Sequence, residues 1–296
     1  KHALTEKDID AATRLSEQAV SKNPKSVEAW LFKGDLLRLQ GKIEPALAAY
    51  DETLKLKPGN APSHIIKANL EIGAGKFNEA KLDIDAAKKS TPNSLIILYT
   101  QALLDFNQKN NTAALESLQQ VLRVEPDHMP SVLLAGAVQY ALGSMQQAEQ
   151  HLKKYLDKNS ENLYARKLLV TVLLKNRQTE RAISTLAPAL KDAPQDAQLF
   201  ALAGETYMQA KDFTKATEYF EKASTLAPQS AMVHTALAMS KLEQGENARA
   251  IVELEKATSL DAKSPQAGIL LVMTHLQQKE YDKVLAALKT LEKEQA

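Results

Sequence analysis

The sequence predicts an all-α fold, an α-solenoid of stacked antiparallel helix pairs. Three observations predict it. The chain matches itself without a gap when shifted by 34 residues. Ala, Leu, Glu, Lys and Gln dominate, which favours helix, and there is almost no Val/Ile/Thr-rich alternation to support strands. Small residues and prolines recur at fixed places in each period. Helical hairpins that pack on one another and then on a copy of themselves require that pattern.

With Val27 as position one, the units are 27–60, 61–94, 95–128, 129–162, 163–196, 197–230, 231–264 and 265–296. Ala12, Ala19 and Pro24 fall at positions 20, 27 and 32 of an earlier unit, so residues 1–26 read as a partial unit, mainly its second helix. Position 20 is Ala46, Ala80, Ala114, Ala148, Ala182, Ala216, Ala250 and Val284. Position 8 is Gly34, Ala68, Ala102, Gly136, Val170, Gly204, Ala238 and Val272. Gly204 and Ala216 are expected to be small because the two helices of their unit cross there, and Ala223 because the next unit packs over it.

Each first helix is expected to start from a cap at Ser26, Asn60, Ser94, His128, Asn162, Asp196, Ser230 or Ser264, all but His128 good capping residues. Pro62, Pro130 and Pro265 fall in the first turn, where a missing N–H costs nothing. The turn between helices carries Gly41, Gly75, Gly143 and Gly245, but Lys109, Lys211 and Lys279 in other units, so it does not absolutely demand glycine. Second helices end before Pro58, Pro92, Pro126, Pro194 and Pro228. Pro188 lies inside a second helix and is expected to bend it.

Composition narrows the function classes. The chain has 296 residues, 44% hydrophobic and 25% charged, with net charge +1 and no cysteine. It is too apolar for disorder and lacks the basic footprint of a nucleic-acid binder. Disulfide and thiolate chemistry are absent, and no apolar run approaches the length needed to span a bilayer. The chain begins at Lys1, inside a structural unit, and is expected to be an internal section of a longer protein.

Chemistry-bearing constellations are missing too. No two of His2, His64, His128, His151, His234 and His275 stand three or four residues apart, and no HExxH occurs. His64 and His234 hold a packing position. "GAGKF" (Gly73 to Phe77) has Leu70 and Phe77 where a phosphate loop needs glycine and a hydroxyl residue, so it reads as the interhelical turn. Asn110 to Thr112 forms a formal glycosylation sequon, relevant only to a eukaryotic secreted protein. There is no GxSxG. Asp83 and Asp85 are expected on solvated helix faces. The expectation is a protein that is not an enzyme, with no catalytic, cofactor-binding or metal-ligating residue.

The repeat resembles the tetratricopeptide repeat. Trp30, Gly34, Leu37, Ala46, Tyr50 and Pro58 stand where that family's motif has Trp, Gly, Tyr, Ala, an aromatic and Pro. The resemblance implies a right-handed superhelix with a concave groove lined mainly by first helices at positions 2, 5, 9, 12 and 13. These positions offer Tyr99, Phe106, Tyr140, Tyr164, Lys167, Met208, Met232, Met239 and Met273 as candidate binding residues, with Glu205 and Gln209 among the polar ones. Family members that clamp a C-terminal carboxylate use Lys, Asn and Arg at such positions; here Leu31/Asp35, Ile65/Asn69 and Tyr99/Leu103 stand there, and only Lys167 fits. The Tyr, Phe and Met content suits an apolar or amphipathic segment of a protein partner.

Four stretches, 33–42, 133–156, 196–223 and 275–295, resemble the PrsT family of large bacterial tetratricopeptide-repeat lipoproteins. That family accompanies the PEP-CTERM/exosortase sorting system and its exopolysaccharide gene clusters. The resemblance implies a non-catalytic scaffold for protein or peptide partners, polysaccharide-assembly components among them. It also implies a periplasmic or outer-membrane-associated setting, with a lipid anchor outside this fragment as the only membrane attachment. The alternative is a protein that binds polysaccharide directly, stacking groove aromatics on sugar rings. Self-association through the truncated ends is a further expectation.

Overall fold

A computed structural model of the protein describes residues 6–92, 94–191, 195–262 and 265–295. These residues form α-helices joined by short turns, with no strand among them. They divide into two compact units, Lys1–Ser144 and Met145–Ala296. In the first unit, α1 (Glu6–Lys22) precedes the pairs α2 (Val27–Leu39) and α3 (Ile43–Leu56), α4 (Ala61–Gly73) and α5 (Phe77–Ser90), and α6 (Leu95–Asn107) and α7 (Asn111–Val124), then α8 (Met129–Ala141). The second unit opens with α9 (Met145–Lys158). The pairs α10 (Leu163–Lys175) and α11 (Thr179–Lys191), α12 (Ala197–Gln209) and α13 (Phe213–Leu226), α14 (Ala231–Glu243) and α15 (Asn247–Leu260), and α16 (Pro265–Gln277) and α17 (Tyr281–Gln295) follow. Within each unit every helix packs on the one before and the one after it, and α4 touches α6, α6 touches α8, α10 touches α12 and α12 touches α14. Among the described residues no helix is long and apolar enough to cross a membrane.

Local chemistry sets the helix ends. Ser26, Asn60, Asn162, Asp196 and Ser230 each accept a backbone N–H three residues on, at 2.9–3.4 Å. Ser94 and His128 make no such side-chain bond; Ser264 and Pro194 lie outside the described residues. Asp212, which the repeat pattern does not single out, caps α13 through the N–H of Lys215. After each first helix the chain turns through a left-handed residue. Gly41, Gly75, Gly143 and Gly245 have φ of 69–76°, and Lys109, Arg177, Lys211 and Lys279 have φ of 56–64°. In the first such turn Gly41 N–H bonds Arg38 C=O and Lys42 N–H bonds Leu37 C=O, satisfying two carbonyls at the helix end. The turn therefore demands the left-handed conformation in every repeat, and four side chains adopt it at a local cost of about 1 kcal/mol each.

The crossing inside each hairpin is fitted by size. Position 8 of the first helix faces position 24 of the second. A Cβ placed on Gly34 would sit 2.8 Å from the ring of Tyr50, and one on Gly204 would sit 2.5 Å from the ring of Phe220. Where position 8 is alanine, position 24 is aliphatic: Ala68 with Ile84, Ala102 with Leu118, Ala238 with Leu254, all fully buried and sharing their hairpin's core. Gly204 is thus small because an aromatic ring lies over it. Ala216 packs with Phe220 and with Leu237 of α14, and Ala223 packs with Phe200 and Val233. Both alanines leave room for the next first helix.

Neighbouring units are also tied by a recurring polar contact. The side chain at position 4 donates to the carbonyl at position 32 of the preceding unit: Trp30 Nε1 to Pro24 (2.9 Å), Arg166 to Ser160 (2.5 Å), and, through Nε2, His64 to Pro58 (2.8 Å) and His234 to Pro228 (3.1 Å). Position 23 of the second helix meets the same side chain. His64 Nδ1 binds Asp83 and His234 Nδ1 binds Glu253; beside the bulky Trp30 that position is Ala49. Arg166 reaches the carbonyl of Thr185 at 2.9 Å. Pro188 lacks the N–H that would bond Ser184 C=O, one residue before Thr185. Helix α11 continues through Pro188 to Lys191.

Asp83 is not on a solvated face. It is only 7% exposed and bridges His64 and Lys67. Asp85 is half exposed as expected. Lys67 reaches Asp51 at 2.9 Å, Asp83 at 3.1 Å and Glu71 at 3.5 Å. Glu71 is 3% exposed, and its Oε2 has no hydrogen-bond partner. Burial and the neighbouring Asp83 charge push its carboxyl up to about 7, against the pull of Lys67.

Two outcomes are expected. Gly204→Ala destabilises the second unit by about 1–3 kcal/mol. Combined with Phe220→Leu, which recreates the alanine–leucine crossing of other repeats, it costs less than the sum of the singles by about 1 kcal/mol. Additive losses in urea melts would refute the size-matched crossing. For Glu71 the folded carboxyl titrates above its ordinary value, so the native state holds an extra proton between about pH 4.5 and pH 7. Its contribution is therefore full at low pH and lost as pH rises through 7. Glu71→Gln is expected to raise Tm relative to the parent at pH 8 and to lose that advantage at pH 5; an equal difference at both would refute the assignment.

Candidate interaction groove

A first helix of 13 residues makes fewer than four turns, so positions 2, 5, 9 and 12 share one face. In the second unit that face of α10, α12 and α14 is not covered by the second helices, which pack on the other side. Two cavities open along it. The larger, about 620 Å³, lies between α10, α12 and the start of α14, with Tyr164, Lys167 and Thr171 along one wall. The smaller, about 460 Å³, lies between α12 and α14, with Met208 and Met239 on its walls, Phe220 at its floor and Gln266 of α16 at its rim. Glu205 and Met232 line both, so the two join into one trough. Met232 is 74% exposed and Tyr164 54% exposed, large apolar surfaces left facing water.

The trough's polar groups are mostly committed. Lys167 Nζ donates to Asp196 Oδ2 at 2.9 Å and to Gln198 Oε1 at 3.3 Å. The Thr171 and Thr235 hydroxyls donate to carbonyls one turn back in their own helices. Gln209 donates to Leu174 C=O and accepts from the Thr179 hydroxyl. For Asp196, burial would raise the carboxyl pKa, but the Lys167 ammonium and the N–H groups of Leu199 and Gln198 outweigh it and hold it below the ordinary value. Glu205 has no ion pair among the described residues. Its apolar surroundings push its carboxyl above the ordinary value, and Lys175 offsets this only at longer range.

Of the candidate binding residues, Tyr164, Lys167, Met208, Met232 and Met239 come together in this trough. Met273 is exposed on α16 but lines neither cavity. Tyr99 and Phe106 belong to the first unit and pack against the core cluster of α6, α7 and α8, with the Tyr99 ring edge-on to His128 at 5.5 Å. Tyr140 is half-buried near the end of α8. The periodic reading of first helices could not find Phe220, which reaches the trough from a second helix. Its signal was Gly204 opposite, which draws the ring into the crossing.

A family profile described as tetratricopeptide repeat matches residues 139–205, 173–240 and 241–296, and a second of the same description matches 2–61 and 99–162. The chain is similar to the protein CTR9 homolog of Arabidopsis thaliana, 25% identical over 46% of this chain and 13% of that protein. It is also similar to the DnaJ homolog subfamily C member 7 homolog of Schizosaccharomyces pombe, 20% identical over 60% of this chain and 41% of that protein. The chain thus spans less than half the length of either relative. Among solved structures it is similar to a tetratricopeptide repeat protein from Parabacteroides merdae, with a TM-score of 0.61 and 18% identity over 79% of this chain and 93% of that one. Pseudomonas aeruginosa pilF gives a TM-score of 0.63 and 18% identity over 73% and 97%. These likenesses show the fold.

Asp196 both caps α12 and neutralises Lys167. Asp196→Asn keeps the acceptor for Leu199 N–H and is expected to change stability little, while Asp196→Ala loses the cap and costs about 1 kcal/mol. Equal losses in the two variants, measured by thermal melts at pH 7, would assign the effect to the ion pair instead.

Proposed function

The chain belongs to the tetratricopeptide repeat family, whose members are typically non-catalytic scaffolds that bind protein partners, and on that premise we propose that it holds a partner protein along the first-helix trough of its second unit. The observation that carries this reading is the continuous, mainly apolar wall from Tyr164 to Met239. Its methionines can adapt to different side chains, and Lys167, Thr171, Gln209 and Thr235 are already satisfied within the protein. Uncommitted apolar surface of this kind gains free energy when a partner covers it.

We further propose that the scaffold works in the bacterial envelope, in exopolysaccharide assembly or export or in PEP-CTERM/exosortase sorting. The support for this is the likeness of residues 33–42, 133–156, 196–223 and 275–295 to the PrsT lipoproteins. Direct polysaccharide binding has less support. Tyr99 and Phe106 are engaged in the first unit's core, and Tyr207 and Phe200 stack against Tyr219 at 5.5 and 6.3 Å. These rings are engaged within the protein, which leaves Tyr164 as the well-exposed ring of the trough, a single platform where stacking along a sugar chain needs several.

A photo-crosslinking residue placed at Met232 in the native cell is expected to capture a protein of the envelope assembly or sorting machinery. The same residue at Val252, also well exposed but on a second helix, is expected to capture none. Capture from Val252 alone would move the binding face off the trough, and a cytosolic protein captured from Met232 would remove the envelope assignment.

A further inference from the structure

The trough has a charge imbalance that its shape alone does not reveal. Two charged side chains line it, Lys167 and Glu205. Lys167 is held by Asp196 and Gln198, so its charge is answered inside the protein. Glu205 is not: among the described residues no cation forms an ion pair with it, although it stands at the junction of the two cavities, between Met208 and Met232. The Glu205 side chain is exposed, so water answers its charge in the free protein; a partner that covers the trough strips that water, and a carboxylate left there without a cation is costly. The nearest polar neighbour on its own helix, Gln209, has its amide committed to α10 and the start of α11. Lys175 attracts Glu205 without forming an ion pair, so a partner that covers the trough has to bring the counter-charge that replaces the lost water.

We propose that the trough takes an amphipathic segment of a partner protein whose lysine or arginine pairs with Glu205, while apolar side chains on either side of that cation seat against Met232 and Met239. This rests on the reading of the trough as the binding face and specifies the chemistry of its ligand. The segment is basic at its centre and apolar at its flanks. A carboxylate-bearing tail is the opposite ligand, and it would find Glu205 repulsive and Lys167 already taken. Pairing beneath a seated partner would place a charged hydrogen bond where the partner has excluded the solvent, and such bonds contribute most there.

The test is selection of a random 12-residue peptide library, displayed on phage, against the intact protein, with Met232→Asp and Glu205→Gln as companion targets. Met232 is well exposed, so its substitution spares the fold, and melting curves of both variants verify that. The expected result is a set of peptides that fail on Met232→Asp and carry lysine or arginine at one fixed place between apolar residues. Their affinity should drop about tenfold on Glu205→Gln. Peptides that need Met232 but show no basic preference, that prefer an acidic residue, or that bind Glu205→Gln equally well, would overturn the charge pairing and leave the trough as the binding face. Recovery of no peptide that depends on Met232 would overturn the binding face itself, and the pairing with it.

Discussion

The close crossing of the two helices in each hairpin is the constraint on which the rest of the structure depends. A hairpin of two short helices has too little surface to be stable alone, so its axes must approach closely enough to close a core and still leave both outer faces fit for neighbours. The approach is governed by one pair of positions. Glycine on the first helix admits the ring of Tyr50 or Phe220, and alanine admits Ile84, Leu118 or Leu254. In these five hairpins a larger residue on one helix meets a smaller one on the other, as close packing of protein interiors requires. The left-handed residue after each first helix serves the same end, because it reverses the chain within one turn and brings position 24 back over position 8.

Repetition then needs each hairpin to recognise the one before it. Alanines at 216 and 223 open the space into which α14 sets Leu237 and Val233. A polar contact adds direction: a donor at position 4 reaches back to a carbonyl left free where the preceding second helix ends. Tryptophan, histidine and arginine all perform this in one chain, since what the site asks for is an N–H at the right reach and not a particular residue. The opposing position adjusts to the donor, small beside Trp30 and acidic beside His64 and His234. Arg166 uses its second nitrogen on the carbonyl of Thr185, within the second helix that carries Pro188.

With the crossing and the unit contacts occupying the second helices and one side of the first, the other side of α10, α12 and α14 is left over. Its composition separates it from a core face. Methionine stands where a core would place leucine, Lys167 is neutralised at the rim, and Glu205 is not. An interaction scaffold needs a surface stable without its partner and improved by it, and mostly satisfied polar groups around exposed methionine supply both halves of that requirement.

The sequence by itself determined the period, the pairing of helices, the caps at Ser26, Asn60, Asn162, Asp196 and Ser230, and which first-helix positions share a face. These follow from interactions within a few residues of chain or from a repeat that copies one local solution. Tertiary structure alone decided three things. It drew Asp83 out of solvent, because the histidine that binds it lies 19 residues away on the partner helix. It packed Tyr99 and Phe106, half-buried, against the first unit's core while Tyr164 and Met232 stayed exposed, although all four hold groove positions. And it left Glu205 unanswered while answering Lys167. Each depends on which side chains of other helices arrive at the same point, and a charge or ring is satisfied only by what stands next to it in space.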